Sequence, residues 1–315
     1  MKISVIMLTH NREQYVANMI ESIVHQTYRD FEFIIIDNGS KDKSGTVADR
    51  YAAEDERIKV LHIAEGSIGH GRNIGIAHAN GEYITFVDDD DIAYPNLLKF
   101  LCDILEKTGS DISICGANEN TGDRLLPHCC TNEMKILTPQ EAVSCLLERR
   151  TIRAGLPLKL FKKTLFADNP IPEDGKYEDI KITYKLLACA KRIVQYGLPQ
   201  YEIIRHEDNN TSYAGNEKLI SALQLDEYLK AISERTRYLT DRYPELYSLA
   251  RYSEWSYMLS MCEKIADNHL QDCQKQYEYM LNVLKENLNE LSESEYIQEF
   301  EKDRIIKIFG GRLYA

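Results

Sequence analysis

Four consecutive aspartates, Asp88 to Asp91, directly follow an apolar run, Tyr83 to Val87. A strand that ends in several adjacent carboxylates concentrates negative charge at one point. Such a cluster is tolerable only if water solvates it or a hard cation neutralises it. We therefore expect these aspartates to lie at the edge of an active site.

The composition excludes several classes of partner. The chain has 315 residues and a net charge of −12, so no general attraction to nucleic acid is expected. Polar residues end the apolar N-terminal run at His10, well short of a signal-peptide core, and no stretch approaches the roughly 20 apolar residues of a membrane span. The eight cysteines form no C-x-x-C pair, so reduced thiols are predicted. Together these features predict a cytoplasmic protein.

The first 115 residues alternate between short apolar runs and helical patterns. Apolar strands separated by helices indicate a parallel sheet covered on both faces. The first helix carries an apolar stripe from Val16 to Val24, and we expect Asn11 and Gln14 to open it as a capping box. The predicted strands are Ile3–Leu8, Phe31–Ile36, Ile58–Ile63, Tyr83–Val87 and Asp111–Cys115.

Ligands of such sheets bind outside the carboxyl ends of the strands. The turn after the first strand contains Thr9, His10 and Asn11, and the second strand ends at Asp37. We expect both turns to face one crevice together with the aspartate run.

The pattern becomes looser after Gly116. Two strand-like pieces, Leu158–Phe161 and Tyr201–Arg205, flank a helix that begins near Glu178, and the chain is helical in pattern from Asn216 onward. We predict a first domain over residues 1–214, divided into two halves, residues 1–115 and residues 116–214. A helical C-terminal domain would follow over residues 215–315.

Four motifs follow one another along the chain: Thr9-His10-Asn11, Asp37-Asn38-Gly39-Ser40, Gly69-His70-Gly71-Arg72-Asn73, and the run from Gly81 to Asp91. Their order resembles the family 2 glycosyltransferases, which have a GT-A fold. The resemblance covers about residues 1 to 210 and implies an inverting, metal-dependent transfer from a nucleotide-sugar. It also implies a catalytic domain over residues 1–214, in which residues 1–115 are the nucleotide-binding half and residues 116–214 the acceptor-binding half.

The resemblance assigns roles to the donor side. Asp88-Asp89-Asp90 matches the D-x-D element, with Asp90 as a direct metal ligand and Asp88 as a contact to ribose or to the metal. Oxygen ligands favour Mn²⁺ or Mg²⁺ over zinc. Arg72 matches the basic residue that relatives direct at the nucleotide. From the residues alone, an exposed acidic loop and an ordinary solvated arginine remain alternatives.

Two positions depart from the family pattern. Relatives usually carry a second aspartate for base recognition where this chain has Asn38. The amide oxygen can still accept the N3 proton of uracil or thymine, so a UDP-sugar is expected and a dTDP-sugar is the alternative. His10 replaces the usual tyrosine and can still stack on a base.

On the acceptor side, the pair Glu178-Asp179 matches the family's Glu-Asp motif. The resemblance makes Asp179 the general base, which takes the proton of the acceptor hydroxyl, with Glu178 and Asp91 near the acceptor. His206 matches a position that some relatives use as a metal or pyrophosphate contact. A plain acidic helix start and a solvated histidine are the alternatives.

The stretch from Thr211 to Ala315 holds 11 of the 20 tyrosines and the only tryptophan, Trp255. Aromatic residues at helical spacing form a core more often than a sugar platform. The basic, apolar segment from Lys302 to Arg312 leaves three alternatives: peripheral contact with a membrane surface, a dimer interface, or packing within the chain.

The sequence thus predicts a glycosyltransferase that acts on a glycan or lipid-linked acceptor, as in surface polysaccharide biosynthesis. A nucleotidyltransferase is one rival, but the loop after the first strand lacks the glycines expected of that class. The other rival is a non-catalytic scaffold that acts through its helical tail, and the intact Asp88, Asp90 and Asp179 argue against it.

Overall fold

The computed structural model describes residues 2–206, 209 and 220–310. The chain divides into two compact units, residues 1–212 and 213–315. Among the described residues, no helix is both long and apolar enough to cross a bilayer.

The first unit is built on one mixed sheet with helices packed against it. Its strands are β1 Ile3–Thr9, β2 Phe31–Asn38, β3 Ile58–Ile63, β4 Tyr83–Asp88, β5 Ile92–Ala93, β6 Ile112–Asn120, β7 Leu125–His128, β8 Met134–Leu137, β9 Lys159–Lys162 and β10 Ile193–Ile204. Its helices are α1 Val16–Val24, α2 Ser44–Glu54, α3 Ile68–His78, α4 Leu97–Thr108, α5 Pro139–Glu148 and α6 Glu178–Cys189.

The strand order is β3-β2-β1-β4-β9-β6-β10-β5, with β7 paired to β6 and β8 to β10. The pairs among β3, β2, β1 and β4 are parallel, as is the pair of β6 with β10. Strand β9 is antiparallel to both β4 and β6. Because two reversals restore the direction, the carboxyl ends of β1, β2, β4, β6 and β10 lie at one edge of the sheet. The expected α/β class with a mostly parallel sheet is confirmed.

The core lies between the sheet and the apolar faces of the helices. Helix α1 buries Val16, Met19, Ile20 and Ile23 against β1 and β2. On helix α3, an added Cβ at Gly75 would approach Ile6 of β1 to 2.6 Å. Glycine therefore lets this helix lie close to the strand.

Two expectations about local structure are wrong. The Asn11–Gln14 capping box does not form: α1 begins at Val16, and the side chain of Asn11 instead accepts a hydrogen bond from the Lys41 backbone at 2.8 Å. Asn11 has a φ of +52°, a conformation that asparagine tolerates in turns.

The second wrong expectation concerns the length of β10, which begins at Ile193 and not at Tyr201. Bulges interrupt its pairing with β6, so the sequence of this strand lacks a clear alternation of apolar and polar residues.

The second unit contains α7 Ala222–Arg242, α8 Tyr247–Asp267, α9 Gln274–Glu286, α10 Leu288–Ser292 and α11 Glu299–Phe309. Trp255, Tyr252 and Tyr257 are buried, so these aromatic side chains form core. A cavity of about 260 Å³ lies at the surface of this unit, lined by Leu229, Lys230, Ser233, Glu234, Arg237 and Tyr279.

Helix α11 contains much of the basic C-terminal segment. Ile305 and Phe309 are buried, while Arg304 pairs with Glu263 of α8 at 2.5 Å. Packing within the unit therefore accounts for these side chains. Ile306 is exposed, and membrane contact and dimerisation remain predictions. Arg312 lies outside the described residues.

Candidate active site

The four aspartates follow β4 at the carboxyl edge of the sheet, and each has its own surroundings. Asp88 is the last residue of β4, and its backbone N–H donates to the Tyr201 hydroxyl at 3.1 Å. Asp91 is buried and accepts a hydrogen bond from the Ile204 backbone at 2.9 Å. This bond ties the aspartate turn to β10 and gives Asp91 a structural contact.

Asp90 meets the residues that follow β10. Its Oδ2 lies 3.1 Å from Nε2 of His206 and 3.1 Å from Nδ2 of Asn209. The ring of Tyr15, just before α1, stacks on His206 at a centroid distance of 4.3 Å. The fold thus brings His206 and Asp90 together across 116 residues of sequence.

Arg72 connects the aspartate run to the start of α6. One guanidinium nitrogen lies 2.5 Å from Oε1 of Glu178 and the other lies 3.3 Å from Oδ1 of Asp88. Arg72 and Glu178 are both buried. Glu178, predicted near the acceptor, therefore has Arg72 as its direct partner. The solvated-arginine alternative for Arg72 does not fit this burial.

Burial and the charge of neighbouring carboxylates raise the pKa values of Asp88, Asp89 and Asp91. The protein around Asp88 raises its pKa to about 6, although 45% of its side chain is exposed; Arg72 opposes this shift, and Asp90 and Glu178 add to it. Burial also raises the pKa of Asp89 to about 7, and Arg12, 3.9 Å away, opposes the shift. The pKa of Asp91 is raised by burial and by Asp88 and Asp90.

Asp179 lies in the first turn of α6. Its Oδ1 accepts a hydrogen bond from the Ile180 backbone at 2.8 Å. Burial, followed by the charge of Glu178, raises its pKa to about 6, against the opposing effect of Arg72. A carboxylate with such a pKa is ionised at neutral pH and basic enough to accept a proton.

The residues predicted to hold the nucleotide lie together at the ends of β1 and β2. Thr9 is buried at the end of β1, and His10 Nδ1 lies 2.8 Å from the backbone oxygen of Asn38. Asn38 uses both ends of its amide on Gly66: Nδ2 donates to the Gly66 oxygen, and Oδ1 accepts from the Gly66 nitrogen, each at 2.9 Å. The Asn38 side chain thus fixes the loop after β3. Recognition of the nucleotide base by this side chain stays a prediction.

Asp37 is also held by its neighbours. One carboxylate oxygen lies 2.8 Å from Nδ1 of His62, and the other accepts from the Ser40 backbone at 3.1 Å. The hydrogen bond that Asp37 accepts from His62 is the largest cause of the raised pKa of His62.

The donor set suits a hard divalent cation. Asp88 and Asp90 contribute carboxylate oxygens at one turn, and His206 adds a ring nitrogen. In the described part of the chain, no three His, Cys, Asp or Glu side chains are arranged as a complete metal site. Oxygens of a bound diphosphate would have to complete the coordination.

Sequence reasoning missed several residues of this site. Tyr15, Tyr201 and Asn209 contact the aspartate turn or its partner His206, and His62 holds Asp37. Asn209 stands beside His206 in an Asn-rich stretch, which was an available signal. Tyr15, Tyr201 and His62 belong to the site only through the folding of the chain.

The family model and the curated relatives that match this chain are all glycosyltransferases. The family model described as Glycosyl transferase family 2 matches residues 4–147. Glycosyltransferase GlyG of Streptococcus pneumoniae is 30% identical over 201 residues, which are 61% of this chain and 67% of GlyG. Poly(ribitol-phosphate) beta-N-acetylglucosaminyltransferase TarS of Staphylococcus aureus is 31% identical over 199 residues, 61% of this chain but 34% of TarS.

Solved structures share the fold. Residues 1–349 of S. aureus TarS, in complex with UDP-GlcNAc, match with a TM-score of 0.68 at 20% identity over 98% of this chain and 85% of that one. The mannosyltransferase PcManGT of Pyrobaculum calidifontis, in complex with GDP-Man and Mn²⁺, matches with a TM-score of 0.55 at 13% identity over 99% of this chain and 88% of that one.

Proposed function

This chain belongs to glycosyl transferase family 2, and on that premise we propose that it moves a sugar from a UDP-sugar to a hydroxyl of a glycan or lipid-linked acceptor, with inversion at the anomeric carbon. The contact chain Asp88–Arg72–Glu178 carries the proposal. It joins the carboxylates of the predicted donor side to the helical turn that carries Asp179.

In this proposal the nucleotide occupies the carboxyl ends of β1 and β2, beside Thr9, His10 and Asp37. The diphosphate faces the aspartate turn. When bound there by Asp88, Asp90 and His206, Mn²⁺ or Mg²⁺ would supply positive charge that favours departure of the diphosphate. The guanidinium of Arg72, next to Asp88, adds a positive charge from the protein itself.

The transfer itself requires one base. The acceptor oxygen attacks the anomeric carbon, Asp179 takes the proton of that hydroxyl, and the bond to the diphosphate oxygen breaks as the UDP leaves. A single displacement with one base inverts the configuration. The raised pKa of Asp179 supports this role.

The donor and acceptor are inferred from chemistry and from relatives. TarS was solved with UDP-GlcNAc and is named for transfer to poly(ribitol-phosphate), which supports a UDP-sugar donor and a surface polysaccharide as acceptor. A cytoplasmic location, with peripheral contact at the membrane surface, belongs to the same proposal.

A thermal-shift screen of UDP-, dTDP- and GDP-sugars with Mn²⁺ tests the donor. A ligand that binds only the folded protein raises the free energy of unfolding, by about 2.7 kcal/mol when its concentration is a hundred times Kd. The Tm rises as a result. We expect the largest shift with a UDP-sugar and its loss in the Asp88→Asn/Asp90→Asn double variant. A preference for GDP-sugars would overturn the assigned base, and no shift with any nucleotide-sugar would overturn the function.

A further inference from the structure

The imidazole of His62, on β3, lies between two carboxylates from different elements. Its Nδ1 lies 2.8 Å from Oδ2 of Asp37 near the end of β2, and its Nε2 lies 3.0 Å from Oδ1 of Asp49 on α2. The parallel register of β2 and β3 pairs Asp37 directly with His62. Among the residues that the structure describes, no other cation forms an ion pair within 4.0 Å of either carboxylate. His62 is therefore the cationic partner that these two acidic side chains share.

Both contacts of His62 depend on the protonation of its ring. A neutral imidazole has one N–H donor and an imidazolium has two, whereas an ionised carboxylate only accepts hydrogen bonds. The two contacts can therefore be hydrogen bonds at the same time only in the imidazolium form. The bonds to Asp37 and then to Asp49 raise the pKa of His62 above 6.5, and burial opposes this shift. His62 thus keeps its second proton to a higher pH than an ordinary histidine does.

The carboxylate of Asp37 is enclosed at the end of β2. Only 9% of its side chain is exposed, and its second oxygen accepts a hydrogen bond from the Ser40 backbone at 3.1 Å. The first turn of α2 lies so close that an added Cβ at Gly45 would overlap Oδ2 of Asp37. An ionised carboxylate with so little access to water needs both hydrogen bonds and a positive charge nearby. The imidazolium of His62 supplies a hydrogen bond and the charge.

We propose that His62 is a positioning residue for the nucleotide donor: its imidazolium, held on its other side by Asp49, fixes the Asp37 carboxylate beside the nucleotide, and deprotonation of the ring weakens donor binding. This inference rests on the proposed placement of the nucleotide beside Asp37. A neutral ring can donate to only one of the two carboxylates, so Asp37 and Asp49 then compete for a single N–H. The affinity for the nucleotide should therefore decrease as the pH rises through the range in which His62 titrates.

The first measurement is an imidazole NMR titration of His62 in the full chain without ligand, assigned with His62→Asn. The pKa of His62 should lie above 6.5, and Asp49→Asn should lower it, because a neutral amide favours the imidazolium less than a carboxylate does. The Asp49 side chain is 55% exposed, so this change should leave the fold intact. His78, which contacts the Ile74 oxygen of its own helix, should titrate alike in both proteins.

The second measurement is the Kd of UDP in the presence of Mn²⁺, at pH 6.5 and at pH 8.5. His62→Asn places an amide nitrogen near the position of Nδ1, so it can donate to Asp37 at any pH. We expect it to match wild type at pH 6.5 and to bind UDP about three- to tenfold more tightly than wild type at pH 8.5, as for one hydrogen bond. Titration of the aspartate turn affects both proteins equally, so their ratio isolates His62.

Two further variants complete the comparison of UDP affinities. His62→Gln places its amide nitrogen near the position of Nε2, which keeps the bond to Asp49 and loses the bond to Asp37. It should bind UDP about three- to tenfold more weakly than wild type at pH 6.5. His78→Asn, an exposed change on α3, is the matched control and should have the wild-type affinity at both pH values.

The outcomes separate this inference from the proposed function. An unchanged His62 titration in Asp49→Asn, or the same ratio of His62→Asn to wild-type affinity at both pH values, would overturn the positioning role even if the wild type binds UDP and transfers sugar. Failure of the wild type to bind UDP at either pH would overturn the proposed donor, and this inference with it.

Discussion

At the scale of single residues, adjacency in the chain does not mean equivalence in the site. Asp90 faces His206 and Asn209, Asp88 faces Arg72, and Asp91 binds the β10 backbone. Asp88 ends β4 and the next three aspartates lie in the turn that follows, so the path of the turn separates the four carboxylates. We therefore expect substitution of each aspartate to have a different effect.

Asp90→Asn keeps the size of the side chain and an acceptor oxygen for His206 but removes the negative charge. We expect Mn²⁺-dependent hydrolysis of the nucleotide-sugar to fall about 10²- to 10³-fold, because less charge remains to bind the cation. Steady-state rates across a Mn²⁺ titration measure this. Asp103→Asn, an exposed change on α4, is the control, and wild-type rates in Asp90→Asn would remove the metal role from Asp90.

Asp179→Asn cannot accept a proton. Transfer should fall about 10²- to 10⁴-fold while donor affinity stays within about twofold, since the residues proposed to bind the donor lie elsewhere. In the wild type, a base with a pKa of about 6 must be ionised to act, so kcat should rise with pH through 6 and then level off. Calorimetry of donor binding together with the pH profile checks both parts, and lost donor binding would argue against a general base.

At the scale of elements, close backbone contacts join the two halves of the first unit. Gly69 in the first turn of α3 lies against the backbone of Pro172, five residues before the N-cap of α6 at Tyr177. Asn73 of α3 adds a hydrogen bond to the Ile171 oxygen at 2.8 Å. Helix α3 therefore fixes the segment that leads to Glu178 and Asp179.

Gly69→Ala should disturb this junction, because the added Cβ would overlap the Pro172 carbonyl. We expect a loss of about 1–3 kcal/mol in the free energy of unfolding, measured by denaturant titration. Transfer should fall as the α6 turn shifts. Gly155→Ala, whose Cβ would meet its nearest atom at 3.9 Å, is the matched control, and equal stability of the two variants would contradict the predicted clash.

At the scale of the whole molecule, Asp88 and Asp89 of the candidate active site destabilise the fold at neutral pH. The pKa values of Asp88 and Asp89, about 6 and 7, are above the unfolded value of 3.8. A carboxyl group with a raised pKa is neutral in the fold at low pH and destabilises it as the pH rises through the folded value. A cation bound by these carboxylates would offset the destabilising effect of their negative charge.

Mn²⁺ should therefore raise Tm more at pH 8 than at pH 5.5, where protons compete for the carboxylates. Differential scanning fluorimetry across pH, with Mg²⁺ in parallel, measures the effect. The Asp88→Asn/Asp90→Asn variant should show no such difference, and equal Mn²⁺ shifts at both pH values in the wild type would exclude a cation bound by these carboxylates.

The sequence by itself determined the alternation of strands and helices, the family, and the meeting of strand ends at one edge. Periodicity and turn residues are local, and the topology of a parallel sheet carries them to that edge. Strands β7 and β8 lacked such a signal because most of their side chains are exposed.

Only the tertiary structure decided the partners of the site residues. Arg72 and Glu178 are 106 residues apart, and the bidentate bonding of Asn38 to Gly66 depends on where the loop after β3 lies. Residue type limits what a side chain can bind, but the packing of distant segments determines what it meets.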